Sequence, residues 1–331
     1  MPQLLSDRAR VVPPLRVYTR EEARMAGFSV DSQRWMRLRK GVYVERGPYG
    51  ELPPWERYAV RVHAFLRTHP DAVFCLESAG VFHGIPQFGE TALIHVYAPD
   101  AGATQRYGDV IVHASCDVRD VERVGGASVT SLRDTVVDLA RVMNPADALA
   151  VADAVTSPVQ GGKLQVAELS DRGEQFENRR GRARMRWVWD HADGRSESPG
   201  ESVSRAIILW CGYEVPELQR EFSYDGHVDR CDFHFPSTGA IGEADGWGKY
   251  DLNDLDGAKQ KLADEKRRED RLRRQGHPFA RWDLRGAWQV DPLREALDTA
   301  GVLRVRPPQS GMLATLTRRP RAKTWLPKTT G

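Results

Sequence analysis

The sequence has few cysteines and no long apolar run. Its four cysteines lie far apart and form no CxxC pair, which argues against a zinc ribbon and against a disulfide framework. No segment approaches the roughly 20 apolar residues of a membrane span, and no signal peptide is expected. Walker and GxGxxG loops are also missing, so nucleotide hydrolysis and nicotinamide chemistry have no support. We therefore expect a cytoplasmic protein with no membrane partner.

The charge of the chain is unevenly distributed. The 331 residues carry a net charge of +2, yet residues 303–331 contain seven basic and no acidic residues, which leaves the rest at −5. A basic segment on a mildly acidic body indicates a polyanionic partner, although a solvated tail has the same composition. We expect the tail arginines Arg318, Arg319 and Arg321 to contact DNA phosphates.

The front half predicts a small DNA-binding module followed by an α/β domain. Thr19 and Glu22 form a capping box, and residues 35–44 alternate around a Lys40-Gly41 turn as in a hairpin. Helix, turn, short helix and hairpin is the order of a winged helix. Further helices are predicted at 55–68, 131–142, 146–155 and 175–193, with strands near 72–76, 93–98 and 109–113.

The pattern changes after a small polar linker at 194–200. Helices are predicted at 201–211, 255–274 and 291–300, and strands at 218–224, 227–235, 240–244 and 279–284. This αβββαβ order favours an open mixed sheet. We expect an α/β (mixed α+β) protein with a winged-helix-like module at 1–50, a small α/β domain with a connecting helix at 51–193, an αβββαβ domain at 194–302 and a basic tail at 303–331.

Four acids of the back domain form a candidate metal site. Asp232 lies near the end of the second strand, Glu243 and Asp245 end the third, and Glu201 begins the preceding helix. If the two strands are neighbours, their carboxylates converge at one end of the sheet. Carboxylates with water and substrate phosphate are the ligands that Mg2+ prefers, and a metal there can activate water and neutralise a scissile phosphate.

Structural roles compete with this interpretation. Ser198 and Glu201 also fit a capping box with Pro199 at the first helical position, and Asp245-Gly246 is an ordinary turn signal. Glu243 is harder to assign to structure alone, because an acid in a buried strand is costly unless it is paired or bound to metal. The neighbouring acid Asp229 is expected to point to the opposite face from Asp232.

Residues 197–290 resemble the PD-(D/E)XK nucleases, in the restriction-endonuclease-like branch of very-short-patch-repair enzymes. The matching pieces are ESPGES at 197–202, VDRCDFHFP at 228–236, GEADG at 242–246, EKRREDRLRRQG at 265–276 and FARWDL at 279–284. The resemblance implies that Asp232 and Glu243, with Glu201 close by, hold Mg2+ or Mn2+. Asp245 stands where the motif has lysine, which leaves the cation that orients water unassigned. Lys249 is the candidate nearest in sequence, and Lys266 is a helical alternative.

Residues 17–155 resemble the N-terminal part of AbiEi-type antitoxins of abortive-infection systems. The matching stretches are TREEARMAGFS at 19–29, MRLRKGVYV at 36–44, ESAGVFHGIP at 77–86, VTSLRDTVVDLAR at 129–141 and ALAVADA at 148–154. The resemblance implies a DNA-binding or protein-regulatory role. Only about six residues separate Gly27 from Trp35, too few for a reading helix of normal length. The residues expected to contact DNA here are Gln33, Arg34, Arg37, Arg39 and Lys40.

The two resemblances together predict a Mg2+-dependent DNA endonuclease in a phage-defence setting. The alternative is a non-catalytic DNA-binding regulator or type IV antitoxin that retains the nuclease fold and binds a toxin or defence partner. A protein-interaction scaffold with a solvated basic tail is the third interpretation. Glu201, Asp232, Glu243, Asp245 and Lys249 are the residues on which the enzyme hypothesis depends.

Overall fold

A computed structural model describes residues 2–31, 33–224, 226–245, 255–317 and 321–324. The architecture is mixed α+β, as expected from the sequence. None of the described helices is long and apolar enough to cross a membrane.

The N-terminal module is built on a three-stranded sheet of order β1-β3-β2. Its elements are α1 (Leu5–Arg8), β1 (Tyr18–Thr19), α2 (Arg20–Met25), β2 (Trp35–Arg39), β3 (Val42–Glu45) and α3 (Arg46–Glu51). The predicted capping box is confirmed, since Thr19 and Glu22 exchange side-chain and backbone hydrogen bonds at the start of α2. The hairpin at Lys40-Gly41 is confirmed as well. No helix lies between α2 and β2 among the described residues, so the short second helix of the predicted order is absent from this part of the chain.

A six-stranded sheet of order β7-β8-β6-β4-β10-β9 follows, which we call the front sheet. Its chain segment comprises α4 (Pro54–Thr68), β4 (Val73–Phe74), α5 (Leu76–His83), β5 (Glu90–Thr91), β6 (Ile94–Tyr97), β7 (Gln105–Tyr107), β8 (Val110–His113), β9 (Val121–Val124) and β10 (Ala127–Thr130). Tyr58, Phe74 and Phe82 pack between α4, α5 and this sheet. The β9-β10 hairpin turns at Gly125-Gly126, where both glycines have positive φ.

Four helices connect the front sheet to the back half. They are α6 (Leu132–Val142), α7 (Pro145–Thr156), α8 (Val166–Gln175) and α9 (Arg182–His191). The single arginine-rich helix predicted over 175–193 is wrong, because the chain leaves helical geometry between α8 and α9. Gly181 has a φ of 81° there, and a Cβ atom at this position would lie 2.4 Å from the Arg141 carbonyl oxygen.

The back half has the predicted αβββαβ order. Its elements are α10 (Pro199–Trp210), β11 (Glu217–Tyr224), β12 (His227–Phe235), β13 (Ala240–Asp245), α11 (Leu255–Arg274) and β14 (Phe279–Asp283), followed by α12 (Leu284–Gln289) and α13 (Asp291–Thr299). The strands form a sheet of order β11-β12-β13-β14. The first two pairings are antiparallel, and β13 pairs with β14 in parallel. Asp225 of the predicted Asp225-Gly226 turn lies outside the described residues.

One hydrophobic cluster extends through both halves of the chain. It includes Val137 and Leu149 from the connecting helices, Ile207 and Phe233 from the back half, and Leu316 from the C-terminal region. The C-terminal region folds back as α14 (Ser310–Leu313) and β15 (Ala322–Thr324), which pairs antiparallel with β5. The predicted division at residue 193 therefore falls within a shared core.

A buried ion pair joins the connecting helices to the back half. Arg205 of α10 bonds the fully buried Asp153 of α7 at 2.7 Å. Removing one partner of such a pair leaves an uncompensated buried charge and costs about 3–5 kcal/mol. We expect Arg205→Met to lower the free energy of unfolding by this amount in urea denaturation. Arg195→Met is the matched control, because the Arg195–Asp193 pair is largely exposed and its loss should cost less than about 1 kcal/mol.

Candidate functional site

Asp232 and Glu243 lie side by side on neighbouring strands. The β12-β13 ladder pairs Phe233 with Gly242, and Asp232 and Glu243 are the next residues along the two strands. The charge of Asp232 raises the pKa of Glu243, as suits neighbouring carboxyl groups. Asp232 Oδ2 also accepts a 2.9 Å hydrogen bond from the backbone N–H of Ala244. The two acids that the sequence analysis selected as principal ligands are thus brought together.

Glu201 approaches the same site from the first turn of α10. Its Oε1 accepts a hydrogen bond from Ser198 Oγ at 2.8 Å. Its Oε2 accepts from the Glu197 N–H at 2.8 Å and from Gln219 Nε2 at 2.9 Å. Ser198 Oγ in turn accepts from the Glu201 N–H, so the capping role anticipated for this pair is real. Glu201 therefore has a structural function and a position next to Asp232.

The electrostatics of the three acids favour a bound positive charge. Burial, followed by the charge of Asp232, raises the pKa of Glu201 to about 8. Burial and the same Asp232 charge raise the pKa of Glu243 to about 7, against the opposing effect of Arg268. Carboxyl groups that share a buried site cannot all ionise without a counter-charge. Near neutral pH this cluster takes up protons unless a cation replaces them.

Arg268 of α11 is a functional candidate that the sequence analysis missed. Its Nη2 donates to Glu243 Oε2 at 2.7 Å, and a second nitrogen bonds the Arg230 carbonyl oxygen. Leu272, four residues further along the helix, is buried. Residues four apart share a helical face, so the apolar Leu272 was the sequence feature that could have indicated that Arg268 faces the sheet. Lys266 is exposed on the same helix, and Lys249 lies outside the described residues.

One oxygen of the cluster has no partner in the described part of the chain. Glu243 Oε1 is buried and accepts no hydrogen bond there. A buried carboxylate oxygen without a donor carries a desolvation cost that a ligand can relieve. This oxygen is therefore the most open ligand position at the site.

Gln219 holds a strained backbone beside these acids. It is a non-glycine residue with a φ of 55°, in the middle of β11 and opposite Asp232 in the ladder register. Left-handed backbone geometry at a non-glycine residue costs about 1–3 kcal/mol and clusters at functional sites. The residue with this strained backbone is also the one whose side-chain amide donates to Glu201 Oε2.

Two further acids of this sheet face arginines. Asp245 lies 3.7 Å from Arg281 on β14. Asp229 accepts two hydrogen bonds from Arg271 of α11, the helix whose Arg268 bonds Glu243. Neither acid raises the pKa of Glu201 or Glu243 in the way that Asp232 does.

A metal ion fits the donor chemistry of Asp232 and Glu243. The donors are oxygens, as Mg2+ requires, and Glu243 Oε1 is open. In the described part of the chain, however, no three His, Cys, Asp or Glu side chains are arranged as a ready metal site. Arg268 already holds Glu243 Oε2, and all of the Glu201 oxygens accept hydrogen bonds. A cation would thus enter between Asp232 and the free oxygen of Glu243.

The residues predicted to contact nucleic acid are scattered. Gln33, Arg37 and Lys40 are exposed on the N-terminal module. Arg34 pairs with Glu45 at 2.9 Å, and Arg39 is bonded to Asp109. Arg318 and Arg319 lie outside the described residues. Arg321 is half-buried and bonded to the buried Glu77 of α5, so its guanidinium is engaged with protein in this structure.

A surface groove lined largely by arginines lies beside Arg268 on α11. It is a groove of about 650 Å³ between the start of β12 and α11. Its lining residues are His227, Arg267, Asp270, Arg271, Arg273 and Arg274. Arg267, Arg271 and Arg274 follow a helical spacing along one side of α11. Arg271 pairs with Asp229 and Arg267 with Asp264.

Comparison with known proteins gives two relatives and no assigned activity. They are "Uncharacterized protein MT2308" of Mycobacterium tuberculosis strain CDC 1551 / Oshkosh and "Uncharacterized protein Rv2248" of strain ATCC 25618 / H37Rv. Each is 29% identical over 204 residues, which cover 61% of this chain and 70% of the relative. No family model matches the chain, and no solved structure matches it with significance.

Proposed function

We propose that this protein is a Mg2+-dependent DNA endonuclease that acts in phage defence. The observation that carries the proposal is the proximity of Asp232 and Glu243 on adjacent strands, together with a Glu243 oxygen that accepts no hydrogen bond from the described residues. The basic groove on α11 gives the same end of the molecule a surface for a polyanion. The resemblance of residues 197–290 to PD-(D/E)XK nucleases supports the same chemistry.

The chain's own residues take distinct roles in this proposal. Asp232 and Glu243 hold the metal, and Glu201 keeps the first turn of α10 against them through Ser198 and Gln219. When bound, the metal supplies an activated water and charge neutralisation at the scissile phosphate. Arg268 provides the fixed cation that the missing motif lysine leaves unassigned. Its second hydrogen bond, to the Arg230 carbonyl, fixes the direction of the guanidinium.

A specific observation favours a second candidate, a non-catalytic DNA-binding regulator or antitoxin. Arg268 neutralises Glu243 directly, and a guanidinium in that place can substitute for a metal ion as the counter-charge. In such a protein the nuclease fold serves as a docking module. The two candidates differ in whether bound DNA is cleaved when Mg2+ is added.

Cleavage of plasmid and single-stranded DNA in millimolar Mg2+ or Mn2+ tests the proposal. We expect the wild-type protein to nick DNA and Glu243→Ala to lose this activity, while DNA affinity stays similar or increases because an acid near phosphate is removed. Glu221→Ala, which removes an exposed acid from β11, is the matched control and should retain cleavage. DNA binding by the wild-type protein without cleavage of any substrate would establish the regulator instead.

A further inference from the structure

The C-terminal region docks against α5, β5 and β6 through one arginine and a short strand. The Arg321 guanidinium makes two hydrogen bonds to the Glu77 carboxylate, and its Nη2 lies 3.2 Å from His95 Nε2. The Arg321 carbonyl oxygen accepts a 2.8 Å hydrogen bond from the Ala92 N–H. Beyond it, β15 pairs antiparallel with β5. This is the geometry of a peptide that pairs with a short strand, here β5 in a separate two-stranded sheet, and places one side chain in a socket.

The socket is formed by residues that hold one another in place. Ser78 Oγ accepts the His95 N–H at 2.8 Å and lies 2.7 Å from the Tyr58 hydroxyl. The Tyr58 hydroxyl donates to the Leu93 carbonyl oxygen, so Ser78 donates to Tyr58. Because these contacts do not include Arg321, the socket is organised by α4, α5 and β6 themselves.

The hydrogen bonds of the socket select a guanidinium. Arginine donates only, so His95 Nε2 must accept and its proton must reside on Nδ1. That Nδ1 lies 2.9 Å from His113 Nε2, which accepts in turn. A planar guanidinium can bond both carboxylate oxygens of Glu77 and still reach His95, which the single ammonium of lysine cannot reproduce.

The edge strand is prepared for the backbone of the incoming segment. Arg61 donates to the carbonyl oxygens of Thr91 at 2.9 Å and Ala92 at 2.8 Å. The Ala92 N–H remains directed to the docking segment, where Arg321 accepts it. An edge strand with directed backbone groups is a template for another strand.

Glu77 needs a cationic occupant. The residue is 4% exposed, and a buried carboxylate without a partner carries a large desolvation cost. Burial alone would raise the pKa of Glu77, but the charge and hydrogen bonds of Arg321 outweigh it and hold the pKa at about 2. The socket is therefore matched to arginine in both geometry and charge.

We propose that the surface formed by α5, β5 and β6 is a receptor for an extended peptide that carries an arginine, and that the segment Arg321–Thr324 is its occupant within the same chain. Arg321 is then part of a docked ligand rather than a free DNA contact. Release of this segment opens the edge of β5 and the Glu77 socket together. The inference does not depend on nuclease activity.

The test uses full-length protein and a fluorescent peptide of residues 317–327. Wild-type protein should bind the peptide weakly, because its own segment occupies the site. Arg321→Ala should bind it at least about tenfold more tightly, and Arg321→Lys should lie between the two. A peptide with alanine at position 321 should lose the gain, as should the double variant Arg321→Ala, Glu77→Gln.

Each control bears on a different part of the proposal. Equal binding of the arginine and alanine peptides by Arg321→Ala would overturn the socket, and this comparison requires no further change in the protein. Equal binding by wild-type and both Arg321 variants would overturn occupancy by the chain's own segment. If Arg321→Ala does not fold, Arg321→Lys against wild type decides the question by the same comparison. DNA cleavage is not part of the readout, so failure here leaves the proposed function untouched.

Discussion

Asp232→Asn should abolish metal-dependent cleavage with almost no change in side-chain shape. The substitution removes the negative charge that faces Glu243 and keeps an oxygen that can accept the Ala244 N–H. A metal at a reacting phosphate contributes several kcal/mol of charge stabilisation, and each 1.36 kcal/mol corresponds to a factor of ten in rate. We therefore expect a loss of at least about 10³-fold in the cleavage rate, measured on plasmid DNA in saturating Mg2+.

Asp229→Asn is the control for this experiment. It removes an acid from the same strand, but one whose partner is Arg271 and not the carboxylate cluster. We expect it to lower the unfolding temperature and to leave the cleavage rate per folded molecule within a few-fold of wild type. If Asp229→Asn and Asp232→Asn lower the rate equally, the loss reflects damage to the sheet, and the assignment of Asp232 is wrong.

Asp232→Asn should also change the pKa values of Glu201 and Glu243, which can be measured without DNA. The charge of Asp232 is the second cause, after burial, of the raised pKa values of Glu201 and Glu243. In Asp232→Asn both pKa values should therefore fall. Carbon-detected NMR titration of the two carboxyl groups can measure this, and unchanged values would contradict the proximity of the three acids.

The convergence of Asp232 and Glu243 could be predicted because it depends on short-range rules. Strand alternation and a hairpin order bring acids at facing positions to one side of a sheet. The bounds of β12 and α11 followed from their apolar pattern and from glycine punctuation, and the structure confirms both. The structural role of Glu201 was also visible in its capping sequence.

Arg268 and Arg321 could not be found in the same way. Both lie in runs of charge, which usually indicate a solvated surface, and their partners are 25 and 244 residues away. A buried arginine is recognisable only once the acid opposite it is placed, because either charge alone would be excluded from the interior. Composition indicated an exposed basic tail, whereas Arg321 makes an ion pair with the buried Glu77.

The helical errors have a local cause. The arginine-rich stretch from 175 to 193 contains strong helix formers, so propensity favours a continuous helix. Tertiary contact at Gly181 overrides that propensity, since its backbone packs against Arg141.

The β9-β10 hairpin was missed although its Gly125-Gly126 turn is a hairpin signal, because its strands are short and largely polar.

Mg2+ should stabilise the protein far more at pH 8.5 than at pH 6. The folded-state pKa values of Glu201 and Glu243 lie near 8 and 7, above the ordinary value of 4.5. Stability from such raised groups is fully present below pH 4.5 and is lost as the pH rises through 7 to 8. Without metal, the unfolding temperature should therefore decline across this range.

Cation binding reverses that decline because it replaces protons with metal charge. Below pH 7 each bound ion must displace up to two protons, so its affinity should rise by up to about 100-fold per pH unit and level off above pH 8. A ligand stabilises the folded state in proportion to the logarithm of its concentration over its Kd.

Thermal unfolding in EDTA and in millimolar Mg2+, at pH 6 and pH 8.5, measures the effect. Asp232→Asn should show little Mg2+ response at either pH, since the charge between the two glutamates is gone. If Mg2+ raises the unfolding temperature of wild type and Asp232→Asn equally, the cation binds elsewhere. If Mg2+ does not raise the unfolding temperature of wild type at pH 8.5, Arg268 is the counter-charge of Glu243, as the regulator candidate requires.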